Sequence, residues 1–127
     1  RAYAQQLQGT TILALPFSAI LASAGPGTIV YLDPPYLGKL PSSFTSYSAG
    51  GFGWQQHVEL RAGVDAAIDS GSRVLLSGSA NPATTEVYLG GGSPLRIARE
   101  LNVSRSIGAR AGSRGKTGEY LLVGGGW

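Results

Sequence analysis

The chain has 127 residues, of which 43% are hydrophobic, and a formal net charge of +3. That length fits one domain with a real hydrophobic core. The absence of cysteine excludes a disulfide framework and a cysteine-based metal site, and a single histidine argues against a zinc site. The same counts lead us to expect no bound metal. No apolar run is long enough to span a membrane and nothing resembles a signal peptide, so we expect a cytoplasmic protein.

The first predicted elements are a short strand and a short helix. Thr10 to Leu15 is apolar and predicts a strand. Pro16 is well placed to open a helix, because Phe17, Ile20 and Leu21 recur at helical spacing. Together with the strand that follows, these elements predict a βαβ unit and therefore a parallel sheet.

The next predicted strand, residues 28–32, stops abruptly at Asp33-Pro34-Pro35-Tyr36. Pro34 cannot donate a ladder hydrogen bond and holds Asp33 in extended geometry, so the strand must end there. The result is a rigid corner that presents a carboxylate, backbone carbonyls and an aromatic ring at the carboxyl end of a strand. Ligands bind at that edge in open α/β sheets. An ordinary strand-ending turn with a packed tyrosine is the alternative.

A long loop and a long helix follow the corner. Residues 37–53 are rich in Ser, Gly and Thr, and ordered loops of this length are usually functional. A helix is predicted from Trp54 to Asp69, and His57 lies on its apolar face. We therefore interpret His57 as a packed structural residue in preference to a catalytic one. The apolar face comprises His57, Leu60, Val64, Ala67 and Ile68.

The second half of the chain predicts a buried strand, a helix and two final strands. The buried strand covers Arg73 to Ser77, and Asn81-Pro82 is a good start for a helix that ends near Leu89. Residues 95–107 are strand-like but interrupted by polar residues, and a glycine- and arginine-rich link leads to a last strand at 119–123. The interrupting residues are Glu100 and Asn102.

Positive charge is concentrated in the C-terminal third, and no acidic residue occurs between Leu101 and Thr117. This distribution favours a polyanionic partner, although basic loops are also often plain solvated surface. Gly115-Lys116-Thr117 does not form a nucleotide-binding P-loop, because Arg110 occupies the position where that motif requires glycine. The basic residues are Arg96, Arg99, Arg105, Arg110, Arg114 and Lys116.

Several motifs in order resemble those of the Dam-like DNA adenine-N6 methyltransferases. The resemblance implies an α/β fold, a partial Rossmann-like AdoMet-dependent methyltransferase sheet with a C-terminal antiparallel strand pair. The motifs are Asp33-Pro34-Pro35-Tyr36, Phe44-Thr45-Ser46-Tyr47, Phe52, Gln56-His57 with Leu60, Val74-Leu75-Leu76-Ser77, Arg105-Ser106-Ile107, Arg114-Gly115-Lys116 and Glu119-Tyr120-Leu121-Leu122.

The resemblance also implies roles for individual residues. The Asp33 carboxylate and the Pro34 carbonyl would accept the two N–H groups of a flipped-out adenine, and Pro35 would keep the corner rigid. Tyr36 would stack on the base. S-adenosylmethionine (AdoMet) would donate the methyl group directly, with Phe17 and Asp33 near the cofactor.

Further contacts follow from the same resemblance. Phe44, Tyr47 and Ser77 would line the base pocket, with loop packing an equal alternative for Phe44. The partner would be double-stranded DNA, in a bacterial or phage protein of the restriction-modification type. The residues expected to neutralise DNA phosphates are Arg105, Arg110, Arg114 and Lys116.

Some features of the family pattern are missing. The Phe-x-Gly type AdoMet motif and the target-recognition segment, which normally precede the tetrapeptide, are not found. Pro16-Phe17 also stands where an Asp-Phe pair is usual, and Ser77-Gly78 where Ser-Asn is usual. We therefore interpret residues 1–127 as the C-terminal part of one methyltransferase catalytic domain that is inactive by itself. The alternatives are a non-catalytic DNA-binding remnant, half of a split enzyme that needs a partner chain, or the same chemistry on RNA adenine or on cytosine N4.

Overall fold

The computed structural model describes residues 5, 7–37, 51–104 and 116–127. These residues form a mixed α/β structure with helices packed against a four-stranded sheet. The helices are α1 (Phe17–Ala22), α2 (Trp54–Asp69) and α3 (Pro82–Leu89). The strands are β1 (Ile29–Leu32), β2 (Arg73–Ser79), β3 (Arg96–Ser104) and β4 (Lys116–Gly124).

The sheet has the strand order β1-β2-β4-β3. β1 and β2 are parallel, with Leu32 opposite Leu76, and α2 lies in the connection between them. β4 is antiparallel to both β2 and β3. The sequence therefore correctly predicts a parallel sheet and a C-terminal antiparallel strand pair. The predicted βαβ unit is wrong, because residues 10–15 form no strand, and the parallel unit is β1-α2-β2.

The hydrophobic core lies between one face of the sheet and the helices. Val74, Leu76 and Leu122 have no exposed side-chain surface, and Leu60 and Val64 of α2 belong to the same buried cluster. Burial of such apolar side chains is the main favourable contribution to folding. On β1, exposure alternates along the strand, so that Ile29 is 53% and Tyr31 63% exposed.

The predicted helices are confirmed. α2 spans the predicted residues, and its side chains His57, Leu60, Val64 and Ala67 are buried. α3 also has its predicted bounds, and the Asn81 side chain accepts a hydrogen bond from the Thr84 N–H at 2.9 Å. α1 begins after Pro16, as expected. None of the helices in the described part of the chain is long and apolar enough to cross a membrane.

Two strand predictions are wrong. Residues 10–15 form no strand and are exposed, with Ile12 at 86%, because no described strand lies alongside to accept their backbone hydrogen bonds. β3 is not interrupted at Glu100 or Asn102, since both pair with β4, and its irregularity lies instead between Ile97 and Arg99. Exposed edge strands tolerate such polar residues because their side chains face water.

Candidate active site

The corner after β1 carries a hydrogen-bonded carboxylate. Regular strand structure ends at Leu32, as Pro34 predicts, and Asp33 follows directly. The Ser77 hydroxyl donates to Asp33 Oδ1 at 2.7 Å, and the Tyr31 hydroxyl lies 3.3 Å from Ser77 Oγ. A hydroxyl has one proton, so Ser77 donates to the carboxylate and accepts from Tyr31. The three side chains form a chain of hydrogen bonds that ends on Asp33.

The local backbone explains why these three side chains meet. Tyr31 and Asp33 are two residues apart, and alternate residues of an extended segment point to the same side. Ser77 follows Leu76, the partner of Leu32 in the parallel ladder, so it reaches the position beside Asp33. Extension of β2 to Ser79, two residues beyond the predicted end, supports Ser77 with ladder hydrogen bonds on its β4 side.

A cavity of about 200 Å³ opens beside the corner. Asp33 and Pro34 form part of its lining, and most of the remaining lining is aromatic or aliphatic. This volume is below the range of roughly 300–1,000 Å³ that is usual for pockets that take whole drug-sized ligands. It suits one planar ring in contact with a carboxylate. The other lining residues are Phe17, Tyr31, Leu32, Phe52 and Leu60.

A row of packed rings stands behind this cavity. The Phe17 and Phe52 ring centres are 5.8 Å apart, and the Phe52 and His57 ring centres are 4.8 Å apart at an interplanar angle of 88°. His57 is 1% exposed, which confirms that it is packed, and its Nδ1 lies 2.6 Å from the Tyr88 hydroxyl. Edge-to-face aromatic contacts of this kind fix the orientation of the rings.

Burial controls the charge state of the His57 and Tyr88 pair. Loss of solvent lowers the pKa of His57 to about 4, a change that the Pro35 carbonyl partly opposes. The same loss of solvent raises the pKa of the Tyr88 hydroxyl, and the Arg61 cation opposes that rise. Both side chains are therefore neutral at physiological pH.

The chain that leaves the corner is held by the start of α3. The Leu37 carbonyl accepts hydrogen bonds from Asn81 Nδ2 at 2.9 Å and from Ser79 Oγ at 3.1 Å. Asn81 Nδ2 also donates to Ser79 Oγ at 2.8 Å. The helix cap and the end of the corner therefore share one side chain.

The structure brings together part of the predicted site. Phe17, Asp33 and Pro34 line one cavity, Ser77 is bonded to Asp33, and Pro35 and Tyr36 are half-buried next to them. Lys116 is the first residue of β4. Phe44, Tyr47, Arg105, Arg110 and Arg114 lie outside the described residues. In the described part of the chain, no cluster of His, Asp or Glu side chains is arranged to hold a metal ion.

The sequence patterns did not place Tyr31, Phe52 or His57 in the site. Tyr31 had a detectable signal, because its position two residues before Asp33 puts it on the same side of the strand. Phe52 and His57 stand among the family-like motifs, but that resemblance assigned them no role in the site. Their proximity to the corner depends on how α2 packs across the sheet.

Residues 1–104 match the model of the family described as D12 class N6 adenine-specific DNA methyltransferase. A Type II methyltransferase of Lactococcus lactis subsp. cremoris is 33% identical over 113 residues, which are 88% of this chain and 38% of that protein.

Two other relatives agree with this match. The DNA N-6-adenine-methyltransferase of Escherichia phage P1 is 30% identical over 84% of this chain and 14% of its own length. The DNA adenine methylase of Escherichia coli (strain K12) is 27% identical over 95% of this chain and 42% of its own length. The chain thus spans less than half the length of these relatives. The family match covers most of the chain and confirms the resemblance found in its motifs: the chain belongs to the D12 class of N6 adenine-specific DNA methyltransferases.

Proposed function

We propose that this chain supplies the base-binding half of an active site that methylates N6 of adenine in double-stranded DNA. The observation that carries the proposal is the Asp33 carboxylate, oriented by Ser77 on the rim of an apolar, ring-sized cavity. Membership of the family supports the reaction type. The names of the relatives from Lactococcus and phage P1 support a bacterial or phage setting, and restriction-modification is one such setting.

The corner acts on the amino group of an adenine that has left the DNA stack. The Asp33 carboxylate and the Pro34 carbonyl each accept one N–H of that group. Two fixed acceptors draw the amine towards tetrahedral geometry and expose its lone pair, which is otherwise delocalised into the ring. Because the prolines hold both acceptors in place, little reorganisation is needed during transfer.

Aromatic side chains hold the base itself. Tyr36 stacks on the extruded adenine, a contact of roughly 1–3 kcal/mol by analogy with other base-stacking side chains. Phe17 and Phe52 provide an apolar wall that excludes water from the cavity. By resemblance to the family, Phe44 and Tyr47 are assigned to base binding, and Arg105, Arg110, Arg114 and Lys116 to DNA phosphates, which they bind without reading the sequence.

AdoMet fits this site only in part. A carboxylate next to aromatic rings is a favourable environment for a positively charged sulfonium group, and Asp33 and Phe17 provide it. The cofactor supplies the methyl group when it is bound. A cavity of about 200 Å³ is too small for the whole cofactor together with a base, so most of the cofactor-binding surface belongs to other residues.

We further propose that residues 1–127 are the C-terminal part of a larger Rossmann-like domain. β1 lies at the edge of the described sheet, and apolar side chains around it are exposed. An open strand edge and an uncovered apolar surface both favour association with further protein. That protein is the remainder of the same chain or, in a split enzyme, a partner chain. The exposed side chains are Ile12, Leu13, Leu15, Ile29 and Tyr31.

The test is methyl transfer from labelled AdoMet to unmethylated duplex DNA by the complete methyltransferase that contains this segment. Asp33→Ala and Asp33→Asn should each reduce the single-turnover rate by at least about 100-fold, because both remove a fixed charged acceptor. Asp69→Asn, which removes an exposed carboxylate at the end of α2, is the matched control and should keep the rate.

Other outcomes are equally decisive. Full activity of either Asp33 variant would disprove the assigned role of the carboxylate. DNA binding without any methylation by the unmodified protein would favour the non-catalytic alternative. The 127-residue chain assayed alone should be inactive, and activity of that chain would contradict the proposal of an incomplete domain.

A further inference from the structure

His57 presents an unsatisfied ring nitrogen in the interior of the protein. Its Nε2 is buried and has no hydrogen-bond partner at normal distance and angle among the described residues. A buried polar group without a hydrogen-bond partner lowers the stability of the fold by roughly 1–3 kcal/mol, so each such atom in a native structure calls for an explanation. The proposed function does not use this residue.

The tautomer of His57 follows from its neighbours. The imidazole is neutral because its pKa is lowered to about 4, so only one ring nitrogen carries a proton. Tyr88 is buried, with 1% of its surface exposed, and its hydroxyl lies 2.6 Å from His57 Nδ1. If Tyr88 donates to Nδ1, both atoms are satisfied, and the proton of His57 resides on Nε2.

The Pro35 backbone faces the same ring. Its contact with His57 raises the pKa of the imidazole, as an acceptor near a ring N–H does. Proline has no N–H, so the contacting group is the Pro35 carbonyl, and Nδ1 already has Tyr88 as its partner. Nε2 is therefore the ring nitrogen left for this carbonyl, and the two atoms form no hydrogen bond in this structure.

We propose that His57 is a positioning residue, whose Nε2–H donates to the Pro35 carbonyl and holds the Asp33-Pro34-Pro35-Tyr36 corner closed around the base. Catalytic hydrogen bonds are often long in a free enzyme and shorten when substrate binds. Tyr88 fixes the tautomer, and the Phe52 ring, 4.8 Å from the imidazole, links His57 to the cavity wall. This inference rests on the proposed function, since it assigns a support to the same corner.

The first test measures single-turnover methyl transfer by the complete enzyme. His57→Leu fills the site with an apolar side chain of moderate size and removes the donor. We expect the rate to fall about 10-fold, because small displacements of reacting groups can lower a reaction rate by up to about 100-fold. His57→Gln retains an N–H donor and should recover part of that loss. Tyr88→Phe should cause a smaller loss of rate. It removes the hydroxyl that fixes the tautomer of His57, but it leaves the imidazole, and so a possible N–H donor, in place.

A control separates positioning from stability. Val64→Ala creates a cavity in the same helix, at a fully buried site that belongs neither to the corner nor to the cavity lining. It should lower the melting temperature as much as His57→Leu does, yet keep the methyl-transfer rate within about twofold of the original. A common rate loss that follows melting temperature in all variants would show a merely structural role.

The second test is independent of activity. Selective ¹⁵N labelling of histidine, with the His57→Gln variant used to identify the resonance, reports which ring nitrogen carries the proton. We expect the proton on Nε2, and a proton on Nδ1 would overturn the inference. If Asp33→Asn abolishes methylation but His57→Leu does not slow it, only the role of His57 fails, whereas an unmodified enzyme that never methylates DNA would remove the proposed function itself.

Discussion

Ser77 determines the orientation of the Asp33 side chain. Its hydroxyl donates the 2.7 Å hydrogen bond to the carboxylate and receives one from Tyr31. A hydrogen bond to a charged group contributes roughly 1.5–3 kcal/mol, and about 1.4 kcal/mol corresponds to a tenfold change in rate. In the complete methyltransferase that contains this segment, Ser77→Ala should therefore slow single-turnover methyl transfer about 10-fold, measured with saturating DNA and AdoMet.

The matched control for this prediction is Ser23→Ala. Ser23 donates an exposed, local hydrogen bond to the Ile20 carbonyl at the end of α1, away from the corner. Its removal should leave the rate unchanged. If Ser77→Ala were as active as Ser23→Ala, Asp33 would not depend on Ser77 for its orientation.

At the scale of elements, the start of α3 is connected to the end of the corner through Asn81. Its Oδ1 caps the helix at the Thr84 N–H, and its Nδ2 donates to the Leu37 carbonyl. Asn81→Ala removes both contacts and should lower the free energy of unfolding by about 1–2 kcal/mol, the upper part of the range for a lost cap. Urea denaturation measures this change.

Asn81→Ser distinguishes the two contacts. Serine is also a good N-cap, but it has no amide to reach Leu37. We expect Asn81→Ser to be more stable than Asn81→Ala. In the complete methyltransferase both variants should slow methyl transfer to the same extent, because the chain after Tyr36 has lost the same support. Equal stability of the two variants would show that the helix cap contributes nothing.

At the scale of the whole molecule, the burial of His57 couples folding to pH. Its pKa is about 4 in the folded protein, against an ordinary value of 6.5. Between those values the unfolded chain binds a proton that the folded chain excludes. The free energy of unfolding should therefore decrease as pH falls from about 6.5 to about 4. Above that window His57 should cause no pH-dependent loss of stability.

The comparison protein for this measurement is the His57→Gln variant. Glutamine does not titrate, and the two proteins differ at no other position. The difference in free energy of unfolding between the two proteins, measured by urea denaturation at each pH, should shrink as pH falls through the window. A difference that does not change with pH would contradict the neutral, buried state of His57.

The sequence alone determined the features that depend on local physical chemistry. Pro34 ends β1 because it lacks an N–H, Asn81-Pro82 starts α3, and the 3.6-residue pattern sets the bounds of α2. The ordered motifs around Asp33-Pro34-Pro35-Tyr36 also identified the family. Each of these signals lies within a few residues of the structure that it predicts.

Only the tertiary structure decided which distant residues meet at the corner. Ser77 and Asp33 are 44 residues apart, and the register of two parallel strands brings them together. His57 and Tyr88 meet through the packing of two helices on the sheet. Residues 10–15 show the converse, because an apolar run becomes a strand only beside another strand that pairs with it. Both meetings depend on contacts between residues far apart in the chain, which the local patterns did not predict.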